Sequence, residues 1–70
     1  MRLLVTGVSG YLGAAVMRAL DEDPAIDAVV GVDLKPPAVA WRKLDFRQID
    51  VRDREGMREA MRGSDAALHL

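Results

Sequence analysis

The sequence predicts an α/β fold built on a parallel sheet, and three observations carry that prediction. Three short apolar runs, Arg2–Thr6, Ala28–Val32 and Ala66–Leu70, have the unbroken character of strands buried on both faces. Segments of helical period lie between them. Gly7, Gly10 and Gly13 mark the junction between the first run and the first helical segment.

Each element has its own signal. Arg2-Leu3-Leu4-Val5-Thr6 is the first strand and ends at Gly7. From Tyr11 to Asp21 the apolar residues Leu12, Val16 and Leu20 recur every fourth position, with Ala15 and Ala19 beside them. That spacing predicts an amphipathic helix with Leu12, Val16 and Leu20 inward, stopped near Pro24. The second strand, Ala28–Val32, closes on Asp33. After a Pro36-Pro37 loop, Leu44 and Phe46 alternate with Asp45 and Arg47, which predicts a strand over Leu44–Ile49. Asp53 is placed to cap a helix running to about Arg62, with Met57, Ala60 and Met61 inward and Gly63 as its terminating glycine. Ala66–Leu70 is the last strand. The order is β-α-β-β-α-β, read as one unit over residues 1–70, with right-handed crossovers.

Composition narrows the function classes. The 70 residues carry a formal net charge of −1 and no cysteine. A disulfide framework and a thiolate metal site are therefore excluded, and no metal site is expected. The charge gives no footprint for nucleic acid. No apolar run approaches the ~20 residues that span a bilayer, and no signal-peptide pattern opens the chain. A cytoplasmic location without membrane contact is the expectation. Surface scaling for this mass gives a folded area of about 4,300 Å² against about 11,000 Å² unfolded. With roughly 60% of the difference apolar, its burial returns on the order of 100 kcal/mol. Ordering the chain costs about the same, at roughly 1.5 kcal/mol per residue. The margin for a free-standing domain is small.

Gly7-Val8-Ser9-Gly10-Tyr11-Leu12-Gly13 has chemical meaning at a strand-to-helix turn. A turn this tight favours residues without Cβ, and a pyrophosphate approaches only a bare backbone. The N–H groups of Tyr11 and Leu12 would face the phosphates, assisted by the helix dipole. Gly13, in the first turn, would let the helix pack closely on the sheet. Asp33 stands twenty residues after Gly13, at a strand end, where its carboxylate can accept hydrogen bonds from an adenosine ribose. A glycine-rich turn and a surface aspartate each have bland structural readings, but strand, loop, helix, strand and acid together predict dinucleotide binding. Asp33 favours NAD, since it would repel a 2′-phosphate. Lys35, otherwise a solvated loop lysine, leaves NADP open.

With these residues the chain resembles the extended short-chain dehydrogenase/reductase family, the NAD-dependent epimerase/dehydratase group. The resemblance rests on Thr6-Gly7-x-x-Gly10-x-x-Gly13, on Asp50-Val51-Arg52-Asp53 after the third strand, and on His69-Leu70 at the end of the fourth. It implies the N-terminal half of a Rossmann fold with strand order 3-2-1-4 and ligand at the carboxyl edge. It also implies that Asp50 through its side chain and Val51 through its backbone contact the adenine, and that Leu70 lies beside the cofactor. Asp50 has the plainer alternative of a turn former. The family's catalytic Tyr-x-x-x-Lys is not matched, because the only tyrosine is Tyr11 and Ala15 stands four residues later. No catalytic residue is assigned.

Other features read as structure. His69 is expected as a core or strand-end histidine. Arg54, Arg58 and Arg62 are interleaved with Glu55 and Glu59 as a solvated mixed-charge face. Trp41 would pack its loop on the sheet, with a ligand contact left open. In the order 3-2-1-4 the last strand would be an apolar edge, so the chain is expected to be the N-terminal part of a longer one. The leading function is the cofactor half of an oxidoreductase or epimerase, inactive by itself, whose small-molecule substrate site lies outside these residues and whose intact form is compatible with a homodimer. The alternative is a non-catalytic NAD(P)-sensing module, because the fold and the cofactor loop do not define the chemistry.

Overall fold

A computed structural model describes all seventy residues. They form β1 (Arg2–Thr6), α1 (Tyr11–Glu22), β2 (Ala28–Asp33), β3 (Leu44–Gln48), α2 (Arg54–Met61) and β4 (Ala66–His69). The strands make one sheet in the order β3-β2-β1-β4, with every neighbouring pair parallel. The fold class and strand order are those expected. Ile49 and Leu70 fall just outside their strands, yet Ile49 N–H donates to Asp33 O at 3.1 Å and Leu70 N–H to Thr6 O at 3.2 Å. The ladders thus continue one residue past the strand ends.

Alternation along β1 divides the core. Leu3 and Val5 point to one face and join Val8, Met17, Ile26 and Val29, with Leu20, Trp41, Leu44 and Phe46 packed around them. Leu4 points to the other face and joins Val30, Val32 and Ala60, flanked by Ile49 and Met57. The helices therefore cover opposite faces of the sheet, α1 on the first cluster and α2 on the second. Trp41 packs its loop against the α1 side, as expected.

The inward face of α1 departs from expectation. Its buried residues are Gly13 and Met17, with Leu20 half-buried on the same line, whereas Leu12, Ala15 and Ala19 are exposed and Val16 is half-buried. The cause is steric. A Cβ on Gly13 would stand 2.2 Å from the Val8 carbonyl oxygen, so this turn touches the loop backbone and brings positions 13, 17 and 20 to the sheet. On α2, Ala60 is buried and Met57 packs on the core, but Met61 is 50% exposed because the eight-residue helix covers only a narrow strip. Its ends are as expected: Asp53 Oδ1 accepts from Gly56 N–H at 3.1 Å, and Gly63 follows with φ +80°, the left-handed conformation that ends helices.

The molecule exposes 4697 Å², more than the about 4,300 Å² that scaling gives for its mass. Every residue of β4 contributes to that surface.

Gly13→Ala is expected to destabilise the fold by about 3 kcal/mol, since backbone rather than a flexible side chain blocks the new methyl. Gly10→Ala, whose Cβ would come no nearer than 3.7 Å to another atom, is expected to cost about 1 kcal/mol or less. Denaturant unfolding of the two variants checks the difference, and equal costs would contradict the packing account.

Candidate functional site

The carboxyl ends of all four strands open onto one edge of the sheet, and the sequence-predicted residues collect there. Gly7 leaves β1 with φ +72°; a side chain there would be strained and would press on the Leu70 carbonyl, 3.1 Å from its Cβ. This turn carries Gly7 N–H to Val32 O at 2.9 Å, which ties the loop to β2. Gly10 then precedes α1 in an extended conformation, with no side chain capping the helix and no acidic residue in its first turn.

The consequence is a set of free donors. Ala14 N–H bonds to Gly10 O at 3.0 Å, but the N–H groups of Tyr11, Leu12 and Gly13 find no acceptor in the chain. The first turn of an α-helix leaves such donors unless something caps it, and they carry the positive end of the helix dipole. The start of α2 differs: the Asp53 side chain caps it and Glu55 lies in its first turn.

Asp33 lies across from this turn. Its Oδ2 accepts from Ser9 N–H at 3.0 Å and its Oδ1 from Leu34 N–H at 2.7 Å, so the carboxylate is held in place at the end of β2. Gly7, Asp33, Asp50, Val51 and Leu70 line one groove of about 210 Å³. Gly10 and Asp33, with Ser9 and Lys35, line a second of about 410 Å³. Asp33 therefore stands between the two.

Three of the sequence-predicted residues line neither groove. Tyr11 and Leu12 are 95% and 59% exposed, and only their backbone donors belong to the loop. Gly13 is buried beneath the Val8 carbonyl, where its role is the close helix packing anticipated for it.

Asp50 serves as a turn former as well as a groove wall. Its Oδ1 accepts from Arg52 N–H at 2.9 Å, and the Arg52 guanidinium adds bonds from Nε at 3.1 Å and from Nη2 to Oδ2 at 2.7 Å. These side-chain and then backbone bonds from Arg52 hold the Asp50 carboxyl down to about 2 from an ordinary 3.8. Because the folded value is the lower one, the bonds add stability above pH 3.8 that is lost as the pH falls toward 2.

Sequence reasoning placed Thr6, Ser9 and His69 at this edge as members of motifs but missed the bonds they make. Ser9 joins the loop to Asp33 through its N–H, a tie across 24 positions that no local pattern announces. Thr6 Oγ1 and His69 Nδ1 share a hydrogen bond of 2.6 Å between β1 and β4. His69 is thus the strand-end histidine of the two expected alternatives, and it is exposed.

Comparison with known proteins places this fold in a family. Residues 3–70 match the family model described as NAD dependent epimerase/dehydratase family. An uncharacterized protein, y4nG, from Sinorhizobium fredii is 35% identical over 66 residues, which cover 94% of this chain and 16% of that protein. Uronate dehydrogenase from Agrobacterium tumefaciens superposes with a TM-score of 0.83 at 32% identity, covering 99% of this chain and 25% of that one. A mutant of that enzyme complexed with NAD superposes at 35% identity with a TM-score of 0.78. UDP-glucuronic acid 4-epimerase from Bacillus cereus, in complex with UDP-glucuronic acid and NAD, gives a TM-score of 0.80 at 25% identity over 100% of this chain and 26% of that one. The chain spans about a quarter or less of the length of these relatives.

Arg52→Ala is expected to raise the Asp50 carboxyl from about 2 toward 3.8. Carboxyl-detected NMR titration reads this directly, and an unmoved midpoint would show that Arg52 is not the cause.

Proposed function

The chain belongs to the NAD-dependent epimerase/dehydratase family, and on that premise we propose that residues 1–70 are the cofactor-binding unit of a short-chain-type oxidoreductase or epimerase. One observation carries the reading. The start of α1 presents three unpaired N–H groups behind Gly10, where a Cβ would make only an ordinary contact, 3.7 Å from Gly7 O. The free donors and the helix dipole select an anion.

The residues present fit NAD. Tyr11 and Leu12 would hold the pyrophosphate through their backbone N–H groups, with Gly7 and Gly10 keeping the approach clear. Asp33, already oriented by Ser9 and Leu34, would accept from the ribose hydroxyls. Asp50 and Val51 would receive the adenine, and Leu70 would border the cofactor across from Gly7. When bound, NAD supplies reversible hydride transfer.

What these residues do is bind and orient. Tyr11 is exposed at the beginning of α1 and no lysine follows it at the family's spacing, so it does not match the family's acid–base pair. His69 is engaged with Thr6. We assign no catalytic proton transfer to this chain and expect no turnover from it alone. The neighbours' activities on uronate and on UDP-glucuronic acid support hydride transfer at a secondary alcohol of a sugar-derived substrate.

Gly10→Val tests the reading, because the fold has space for a side chain there while a pyrophosphate would not. The expected result in calorimetric titration is at least a tenfold loss of NAD affinity, about 1.4 kcal/mol, with an unchanged far-UV circular dichroism spectrum. Undiminished NAD affinity in this variant would reject the loop as the phosphate site.

A further inference from the structure

The connection from β2 to β3 is tied down at both ends and held by nothing between them. At its start the Asp33 carboxylate accepts from Leu34 N–H at 2.7 Å. At its far end Trp41 packs on the α1-side core, and Arg42 Nη2 donates to Asp21 O at 3.1 Å. Lys43 donates from its N–H to Asp21 Oδ1 and from Nζ to Asp23 O and Ile26 O, each at 2.8 Å. Between these anchors, Lys35 to Ala40 make no hydrogen bond and no ion pair. Pro36 and Pro37 have no N–H to give, and every residue of Leu34–Ala40 except Pro37 is exposed. Unbonded backbone with little buried surface belongs to the least stable part of a fold.

This segment borders both grooves. Leu34, 61% exposed, lines the first with Ile49 and Val51, while Lys35, Pro36 and Ala38 line the second with Gly10. Asp33, which belongs to both grooves, directly precedes it. A ligand lying along the two grooves would give Leu34 an apolar surface to cover. It would also let the segment exclude water from beside the Asp33 carboxylate, where hydrogen bonds to hydroxyls then strengthen. We propose that Leu34–Ala40 is a strap that orders over the adenosine end of the bound dinucleotide, with Leu34 as its apolar contact to the base. The inference rests on the cofactor reading above and adds to it a moving part. Pro36-Pro37 is a stiff unit, so the change falls on Leu34, Lys35 and Ala38 to Ala40 while the anchored ends stay in place.

Backbone ¹⁵N relaxation on the full chain, free and saturated with NAD, tests the ordering. The amides of Lys35, Ala38, Val39 and Ala40 are expected to show order parameters below about 0.6 when free and to rise toward the about 0.85 of rigid backbone with NAD. Leu34→Ser is expected to weaken NAD about fivefold, equivalent to about 1 kcal/mol. Val39→Ser is the control, since Val39 lies on the strap but lines neither groove; its NAD affinity is expected to be unchanged. A strap as ordered as β2 in the free protein, or one whose order does not change at NAD saturation, would overturn the proposal and leave the NAD reading intact. So would an undiminished affinity in Leu34→Ser, or an equal loss in Val39→Ser. Failure of NAD to bind would overturn the two together.

Discussion

The close approach of α1 to the loop before it is the constraint on which the rest of the site depends. With no Cβ at Gly13, the first turn of the helix rests against the Val8 carbonyl. That contact sets which face of α1 meets the sheet, burying Met17 and leaving Leu12 outside. It also brings the uncapped helix start to the carboxyl edge, beside the end of β2. Any larger residue would lift the helix and carry the free donors of Tyr11, Leu12 and Gly13 away from Asp33. One packing contact on the α1 face thus positions the free backbone donors that form the proposed anion site.

A second constraint acts through β2. Gly31 would place a Cβ 2.5 Å from Leu44 Cδ1 and 2.8 Å from Val8 Cγ1, so its bare backbone lets Val8 sit down between strands. The loop bond from Gly7 N–H to Val32 O and the bond from Ser9 N–H to Asp33 then tie the glycine turn to the strand bearing the acid. The phosphate-facing and ribose-facing parts of the proposed site are therefore mechanically one piece. The opposite flank is thinner: α2 buries only Ala60 and β4 is exposed along its length.

Most of this architecture was legible in the sequence because it follows from local signals. Apolar runs, helical period, glycine at the turn and Asp53 and Gly63 at the ends of α2 each carry their own physical cause, and the parallel order 3-2-1-4 followed from them and the family resemblance. The face of α1 was not legible. Leu12, Val16 and Leu20 make as regular a stripe as Gly13, Met17 and Leu20, and only the carbonyl above Gly13 decides between them. Met61 was misplaced because periodicity says where a side chain points along a helix, not how much sheet lies beneath it. The ties of Ser9 to Asp33 and of Thr6 to His69 span 24 and 63 positions, and distant pairs of that kind leave no pattern in a single sequence.

The central claim is that the beginning of α1 is an anion site made of backbone N–H groups, and amide NMR addresses those groups one by one. On titration with NAD, the largest ¹H–¹⁵N shift changes are expected at Tyr11, Leu12 and Gly13. The capped start of α2, at Arg54 to Gly56, is expected to stay unchanged. Saturable NAD binding that leaves the three α1 amides unmoved would contradict the account.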